Sequence, residues 1–254
     1  MLTGLDLSAA LDKDVYNKRV GAWEARLYDL THATFKANVP VLIVMEGWAA
    51  VGKGGAIRDL TEKLDPRGCR VIPITPPRTA ELRYPWLWRF WTKIPAYGQT
   101  VIFDHSWYRR VLIERLSKTV KRRAAADALQ DIVEFEQMLA ADGALIVKFW
   151  FHIDRKEQGR RFKKLLKDKL TAWQVGEEDA LQHAAYDDYL ALAEDVLSRT
   201  DLPHAPWHLI AATDKYHARA QLFQHLIAAY EARLGDAAPP PTRPLARGEE
   251  AAHA

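Results

Sequence analysis

The sequence has little cysteine, little net charge and no long run of apolar residues. Cys69 is the single cysteine among 254 residues, which excludes an internal disulfide and a zinc site built from cysteines. The net charge is only +3 at pH 7, so any anion binding must come from local clusters. The longest apolar runs have the length of a strand, and Lys148 interrupts one of them, so no membrane-spanning helix is expected. The segment from Met1 to Asp14 contains acids and no long apolar run, so we expect no signal peptide and predict a cytoplasmic protein.

Apolar periodicity predicts an α/β fold. Short continuous apolar runs are typical of strands buried on both faces of a parallel sheet, and helical patterns separate these runs. The predicted strands are 39–45, 70–74, 100–104, 144–153 and 207–212. The predicted helices are 14–37, 54–64, 79–92, 106–118, 124–141, 155–169, 179–199 and 214–234. This alternation predicts three layers, αβα, with a parallel sheet of about five strands between the helices.

The chain is predicted to contain one main domain with a short extension at each end. Residues 1–38 are expected to form an N-terminal helical extension, and 39–235 to form the main domain. Residues 236–254 are rich in alanine, proline and charge, so we expect them to be disordered.

The strongest motif is a glycine-rich turn between the first predicted strand and the helix that follows. Gly47, Gly52 and Lys53 fit the pattern G-x-x-x-x-G-K in the context that this pattern requires. Glycines let backbone amides converge on a phosphate, the helix N-terminus adds partial positive charge, and Lys53 can reach the terminal phosphates. We therefore predict phosphate contacts at Gly47, Gly52, Lys53, Gly54 and Gly55; the alternative is a tight turn with an incidental lysine. Gly54 stands where Ser or Thr usually meets Mg²⁺, so the metal must be held by another group.

Asp104 is the candidate for that group. It ends the apolar run from Val101 to Phe103, as the metal-binding aspartate of a Walker B strand does. The alternative is an aspartate that only caps the following helix. Together with the glycine-rich turn, the pattern predicts Mg²⁺ bound at Asp104.

Two basic clusters indicate an anionic partner. The first cluster contains Arg109, Arg110, Arg115, Lys118, Lys121, Arg122 and Arg123, against the single acid Glu114. The second contains Arg155, Lys156, Arg160, Arg161, Lys163, Lys164, Lys167 and Lys169, against Glu157 and Asp168. Arginine is preferred where phosphate is bound through two hydrogen bonds, so Arg110 and Arg161 rank above the lysines. The alternative for both clusters is a solvated helix face.

Three other features are given structural rather than catalytic roles. The aromatic run from Trp86 to Trp91 could stack a base, but core packing is favoured. Cys69 is expected to be a small buried apolar residue. His105 is not assigned acid–base work, because phosphoryl transfer depends mainly on positioning and charge stabilisation.

Several spaced blocks make the sequence resemble the polyphosphate kinase 2 family, and above all the domain type of polyphosphate:AMP phosphotransferases. The resemblance extends over 34–234, most of the chain. The blocks are Glu46-Gly47-Trp48, Gly52 to Gly55, Leu64 to Gly68, Leu87 to Trp91, Pro95, Gly98, Phe103-Asp104, Ser106-Trp107-Tyr108, Arg110, Lys148-Phe149-Trp150, Gln158, Arg161-Phe162, Trp173, Asp179, Ala205-Pro206-Trp207, Asp214-Lys215 and Arg219.

The resemblance implies a thymidylate-kinase-like P-loop fold with a mobile helical lid at about 154–178. It implies reversible, Mg²⁺-dependent transfer of a phosphoryl group between inorganic polyphosphate and a nucleoside mono- or diphosphate with an adenine or guanine base. Lys53, Asp104 and Arg110 would then lie at the reacting phosphates. Arg67, Arg109 and Arg161 complete the candidate phosphate-binding residues. A homo-oligomer also fits the family, with neither nucleic acid nor membrane as a partner.

Three positions depart from the family pattern. The family normally has aspartate where this chain has Ala49, and usually arginine where this chain has His105. A milder departure is Gln174, where a lysine often follows the tryptophan. Loss of the carboxylate at position 49 is the serious change, since metal and charge stabilisation contribute several kcal/mol in such sites. Glu46 or Asp65 are the candidates to compensate for it.

Two other functions remain open from the sequence. A degenerate family member would bind phosphate chains or nucleotide without efficient turnover, and Ala49 motivates this hypothesis. An ATP-dependent nucleoside or nucleotide kinase that ignores polyphosphate is a second alternative, but one nucleotide needs fewer cations than the two basic clusters supply. Nucleic acid is disfavoured as a partner, because the chain shows no known reader motif.

Overall fold

The structure is a computed structural model that describes residues 1–235 and Ala238. Apart from Ala238, the tail predicted to be disordered at 236–254 lies outside the described residues. Within the described part of the chain, no helix combines the length and the apolar character needed to cross a membrane.

Five parallel strands form the central sheet, as predicted from the apolar runs. The strands are β1 (Val41–Gly47), β2 (Cys69–Pro73), β3 (Thr100–Asp104), β4 (Leu145–His152) and β5 (Trp207–Ala211). Their order across the sheet is β2-β3-β1-β4-β5. Every residue of β1 is buried, because it is paired on both sides and covered on both faces. All five strands point the same way, so their C-terminal ends meet at one edge, called here the carboxyl edge.

Nine α-helices of the described chain surround the sheet and complete the predicted three-layer architecture. They are α1 (Lys13–Lys36), α2 (Lys53–Thr61), α3 (Trp88–Trp91), α4 (Ile113–Leu116), α5 (Arg122–Ala141), α6 (Arg155–Lys167), α7 (Glu177–Ala184), α8 (Tyr186–Thr200) and α9 (Lys215–Leu234). Aspartates begin several of them: the Asp154 side chain accepts a hydrogen bond from the Glu157 amide at the start of α6.

Three predicted helices are wrong in extent. The helix predicted at 79–92 is reduced to a 3₁₀ turn at Glu81–Arg83 and the single turn of α3, because Pro85 interrupts the backbone hydrogen bonding. The helix predicted at 106–118 is divided into a 3₁₀ turn at Trp107–Arg110 and the short α4. The helix predicted at 179–199 is divided into α7 and α8 at Ala185, and this break places Tyr186 against Trp48 with ring centroids 4.0 Å apart.

The predicted N-terminal extension packs on the body of the domain. Helix α1 lies along α9, where the Trp23 ring stacks on Phe223 and Arg26 forms a 2.7 Å ion pair with Glu231. Leu27 and Leu30 of α1 belong to the same buried cluster as β1. The extension therefore shares the hydrophobic core of the main domain.

A fully buried ion pair lies beneath the carboxyl edge. Lys148 Nζ, on β4, donates to Glu136 Oε2 at 2.7 Å, to the carbonyl of Thr200 at 2.8 Å and to the Tyr108 hydroxyl at 2.9 Å. Glu136 Oε1, on α5, accepts from both Trp107 Nε1 and the Tyr108 hydroxyl. Neither charged side chain is exposed to solvent. The pair therefore fixes the segment that directly follows Asp104.

Candidate active site

The glycine-rich turn, 47–52, joins β1 to α2 at the carboxyl edge, and its glycines have different physical roles. Gly47 has φ 141°, and a Cβ there would lie 2.3 Å from the carbonyl oxygen of Phe151, so only glycine allows β4 to approach this closely. Gly52 has φ 100° and precedes the first residue of α2, a conformation that other residues rarely adopt. Gly47 thus serves strand packing, and Gly52 serves the turn into the helix.

The N-terminus of α2 presents free backbone amides. The amides of Gly52, Lys53, Gly54 and Gly55 form no hydrogen bond within the described residues. A Cβ at Gly54 would meet no heavy atom within 4 Å, so the space beside this residue is open. Convergent free amides at a helix N-terminus are suited to binding an anion.

Arg161 holds the glycine-rich turn from behind. Its Nη1 donates to the carbonyls of Ala50 at 3.2 Å and Val51 at 2.8 Å, while its Nη2 donates to those of Ala212 and Thr213. Its Nε donates to Glu157 at 2.7 Å. In this structure the guanidinium therefore clamps the turn to the loop after β5, and its predicted phosphate contact stays a prediction.

Two buried glutamines fix the same turn at Ala49. The Ala49 amide donates to Gln182 Oε1 at 2.7 Å, and Gln158 Nε2 donates to the same oxygen at 3.0 Å. Gln158 lies on α6 and Gln182 lies on α7. Both helices begin within 154–178, the segment predicted to be a lid. The part of α6 that carries Gln158 and Arg161 is therefore docked on the turn.

The Arg161 clamp is tested by Arg161→Lys. Lysine keeps the charge but cannot bind two pairs of carbonyls at once, so the unfolding free energy should fall by about 1–3 kcal/mol. Affinity for inorganic tripolyphosphate should fall as well, since the turn loses its support. Urea unfolding and isothermal titration calorimetry measure the two effects. Arg160→Lys is the matched control, because exposed Arg160 on the same helix pairs with Glu157 and, among the described residues, forms no hydrogen bond to the turn; equal effects from both variants would contradict the clamp.

Lys53 is bound to a histidine and, through it, to a buried carboxylate. Lys53 Nζ lies 2.9 Å from His105 Nε2, and His105 Nδ1 lies 3.0 Å from Glu46 Oε2. Ser106 Oγ donates to Glu46 Oε1 at 2.8 Å. Burial alone would raise the pKa of Glu46, but the interaction with His105, and then those with Lys53 and Ser106, lower it. Glu46 is therefore a buried anion, and both of its oxygens are occupied.

Asp104 ends β3 beside the turn, in register with Met45 of β1. Its Oδ1 is buried and has no hydrogen-bond partner within the described residues. A buried carboxylate oxygen without a hydrogen-bond partner is suited to binding a cation. The described residues contain no cluster of three or more metal-ligating side chains, so Asp104 would hold a metal together with substrate phosphates.

Arg110 and Arg109 line a cleft next to this edge and differ in their partners. The Arg110 guanidinium lies over the Trp86 ring at 5.1 Å, and its Nε is buried without a hydrogen-bond partner among the described residues. Arg109 is paired with Glu178 and, at 3.3 Å, with Glu114. The cleft is lined by Arg109, Arg110, Trp86, Tyr84, Arg89 and Phe90, among others. Arg110 is therefore available for an anion, while Arg109 is already neutralised.

Arg67 does not join the site. Arg67 lies two residues before Cys69, the first residue of β2. It therefore lies at the edge of the sheet opposite the carboxyl edge. There it forms a 2.7 Å ion pair with Asp65, and its side chain is 88% exposed. This position rules out Arg67 as a contact to the same phosphate as Lys53. It also removes Asp65 as a substitute for the carboxylate missing at position 49.

Glu46, the other proposed substitute, is also committed elsewhere. Ser106 and His105 occupy its two oxygens, so it offers no free ligand atom to a metal. Ala49, His105 and Glu46 line one small cavity together with Glu178 and Asp179. Neither Glu46 nor Asp65 therefore takes the place of the missing carboxylate within the described residues.

The structural roles assigned from the sequence are only partly correct. Phe90 is buried, but Trp88 and Trp91 are each 38% exposed, so the aromatic run is not simply core. Cys69 is half-buried, and burial raises the pKa of its thiol to about 11. The contacts of Gln158, Gln182 and Lys148 were missed, and only Lys148, which interrupts an apolar run, carries a signal in the sequence.

Comparisons with known proteins match this geometry. The family model for polyphosphate kinase 2 matches residues 10–237. A polyphosphate:AMP phosphotransferase of Pseudomonas aeruginosa is 40% identical over 232 residues, which cover 91% of this chain and 47% of that protein. An NDP-polyphosphate phosphotransferase of Ruegeria pomeroyi is 34% identical over 217 residues, 85% of this chain and 71% of that protein. The chain thus spans about half the length of the Pseudomonas relative.

Solved structures agree with the sequence comparisons. A crystal structure of a putative polyphosphate kinase 2 from Pseudomonas aeruginosa superposes with a TM-score of 0.87 at 40% identity, over 91% of this chain and 50% of that one. The polyphosphate kinase 2 of Arthrobacter aurescens superposes with a TM-score of 0.86 at 27% identity, over 91% of this chain and 85% of that one. Since the family model spans nearly the whole described chain and the relatives agree with it, the chain belongs to the polyphosphate kinase 2 family.

Proposed function

We propose that this chain transfers a phosphoryl group reversibly between inorganic polyphosphate and a nucleoside mono- or diphosphate, with Mg²⁺ as the metal. The observation that carries the proposal is the row of free amides at the start of α2, beside Lys53 and the unpartnered Oδ1 of Asp104. The names of the relatives support this class of donor and acceptor: they include AMP, NDP and ADP enzymes. AMP, ADP and GDP are therefore the acceptors to test.

Each part of the site has a separate task in this mechanism. The amides of Gly52 to Gly55 and the Lys53 ammonium bind the oxygens of the reacting phosphates and stabilise the charge that develops during transfer. Asp104 would hold Mg²⁺, which supplies charge neutralisation and orientation between the phosphates. Arg110, in the cleft beside Trp86, would bind the other reacting phosphate from the opposite side, so that donor and acceptor meet roughly in line. Closure of the segment that follows the docked part of α6 would exclude water as a competing acceptor.

The charge on α6 favours a phosphate chain over a single nucleotide as one substrate. Lys163, Lys164 and Lys167 are exposed on this helix, as are Lys156 and Arg160. A row of exposed cations that leads to the phosphate-binding turn can accompany a chain longer than one triphosphate. Affinity that rises with polyphosphate length and falls with salt supports this reading over an ATP-dependent kinase.

A second candidate is a family member that binds phosphate chains but turns over slowly. Ala49 favours it, together with the finding that Glu46 and Asp65 cannot supply the missing carboxylate. We also propose that the protein is cytoplasmic and forms a homo-oligomer. We propose neither nucleic acid nor a membrane as a partner.

The experiment that separates the two candidates is a nucleotide-formation assay with wild type and Ala49→Asp. Long-chain polyphosphate, Mg²⁺ and AMP, ADP or GDP are supplied, and the product is measured by chromatography. Ordinary kinase turnover by the wild type supports the transferase and rejects the slow binder. Product at background in the wild type, with binding of polyphosphate retained and turnover gained in Ala49→Asp, supports the slow binder.

A further inference from the structure

Lys53 and Glu46 are opposite charges that the fold keeps apart by one imidazole ring. The Lys53 side chain is 8% exposed, and Glu46 is 1% exposed. Opposite charges this deeply buried attract each other strongly, because little water screens them. His105 stands between them, with Nε2 at 2.9 Å from Lys53 Nζ and Nδ1 at 3.0 Å from Glu46 Oε2.

The hydrogen-bond chemistry assigns a direction to this chain of contacts. An ammonium group only donates, so Nε2 must accept from Lys53. Glu46 accepts, so Nδ1 must carry the proton and donate to Oε2. Two of the three ammonium protons remain available to a phosphate on the free amides of α2.

The backbone at His105 shows that this position is held under strain. Its φ is 58°, in the left-handed region that few residues other than glycine adopt. Its amide donates to the carbonyl of Met45 at 3.1 Å, which ties the residue to β1. A side chain held in an unfavourable backbone conformation by its surroundings is often part of a functional arrangement.

We propose that His105 is the positioning residue of Lys53: a spacer, oriented by Glu46, that prevents the ammonium from pairing with the buried carboxylate and keeps it in front of the phosphate-binding amides. The inference rests on the proposed function for its consequence, which is phosphate binding. Its geometric part, the position of the Lys53 ammonium, is independent of any substrate.

His105→Gly is the direct test, because glycine removes the imidazole and also tolerates the backbone conformation. Lys53 should then pair with Glu46. We expect labelling of Lys53 by an amine-acetylating reagent, read by mass spectrometry, to fall at least about fivefold, since the paired amine is less available. The affinity for tripolyphosphate, measured by calorimetry, should fall about tenfold or more, which corresponds to about 1.4 kcal/mol.

Rescue by a second substitution distinguishes positioning from a general structural role. Glu46→Gln removes the charge that would attract Lys53, so His105→Gly/Glu46→Gln should recover Lys53 labelling and tripolyphosphate affinity to the level of Glu46→Gln alone. A purely structural role predicts the opposite, because the double variant lacks more native contacts. Unchanged Lys53 labelling in His105→Gly, or no recovery in the double variant, overturns the proposal.

The two readouts also separate this inference from the proposed function. Wild type that fails to bind tripolyphosphate contradicts the proposed function, while the labelling of Lys53 still decides whether His105 positions it. Binding by wild type with the same affinity in His105→Gly contradicts the positioning role alone.

Discussion

Asp104→Asn is expected to reduce polyphosphate-dependent nucleotide formation by at least about a hundredfold while the fold stays intact. Asparagine keeps the size of the side chain but loses the negative charge that a divalent cation requires. The loss should be large because neither carboxylate considered as a substitute is placed to take over: Glu46 is bound by His105 and Ser106, and Asp65 lies at the opposite edge of the sheet. Initial rates at saturating Mg²⁺ measure the effect.

The thermal stability of Asp104→Asn shows whether Asp104 serves as a metal ligand or only as a structural cap of the following helix. Asp104 Oδ1 has no hydrogen-bond partner among the described residues. Replacing the carboxylate by an amide should therefore leave the thermal midpoint near that of the wild type. Asp127→Asn is the matched control, an exposed carboxylate on α5 that should change neither rate nor midpoint. More than about a tenth of the wild-type rate in Asp104→Asn would contradict the assignment of the metal to this residue.

Lys148→Met is expected to lower the unfolding free energy by about 3–5 kcal/mol. The substitution leaves the Glu136 carboxylate buried with only Trp107 and Tyr108 as donors, and no positive charge replaces the ammonium. An uncompensated buried charge costs far more than a lost surface ion pair. Urea unfolding, with the slope checked for two-state behaviour, measures the change.

The double variant Lys148→Met/Glu136→Gln tests whether the cost comes from the unpaired charge. Glutamine keeps an oxygen for Trp107 and Tyr108 but removes the charge, so a substantial part of the lost stability should return. Lys163→Met, on the exposed face of α6, is the control and should change stability by less than about 0.5 kcal/mol. Additive losses in the double variant would contradict the account of this ion pair.

The sequence predicted the sheet well because each strand is a continuous apolar run that periodicity detects. β3 was predicted with its observed bounds, Thr100–Asp104. Helices were predicted less well where a local feature interrupts an amphipathic pattern. Pro85 is visible in the sequence and could have prevented the prediction at 79–92, whereas the break at Ala185 depends on a tertiary contact between Tyr186 and Trp48.

Sequence patterns predict the candidate site residues that lie at strand ends. They do not predict the side-chain contacts that arise only when distant segments pack together. Lys53 follows β1 through the glycine-rich turn and Asp104 ends β3, so the parallel arrangement brings both to one edge. The same reasoning could have excluded Arg67, which precedes a strand and must lie at the other edge. The contacts of Lys53 with His105, and of Arg161 with the carbonyls of the turn, depend on side-chain directions that sequence spacing does not contain.

The most direct test of the central claim compares wild type with Lys53→Met in the conversion of ADP to ATP by long-chain polyphosphate and Mg²⁺. If condensed phosphate is held by Lys53 and the free amides of α2, the wild type should form ATP in proportion to the polyphosphate supplied, and Lys53→Met should fall to background. Equal ATP formation by the two proteins would contradict this account of the site, since the chain would then transfer phosphate without the ammonium on which the arrangement depends.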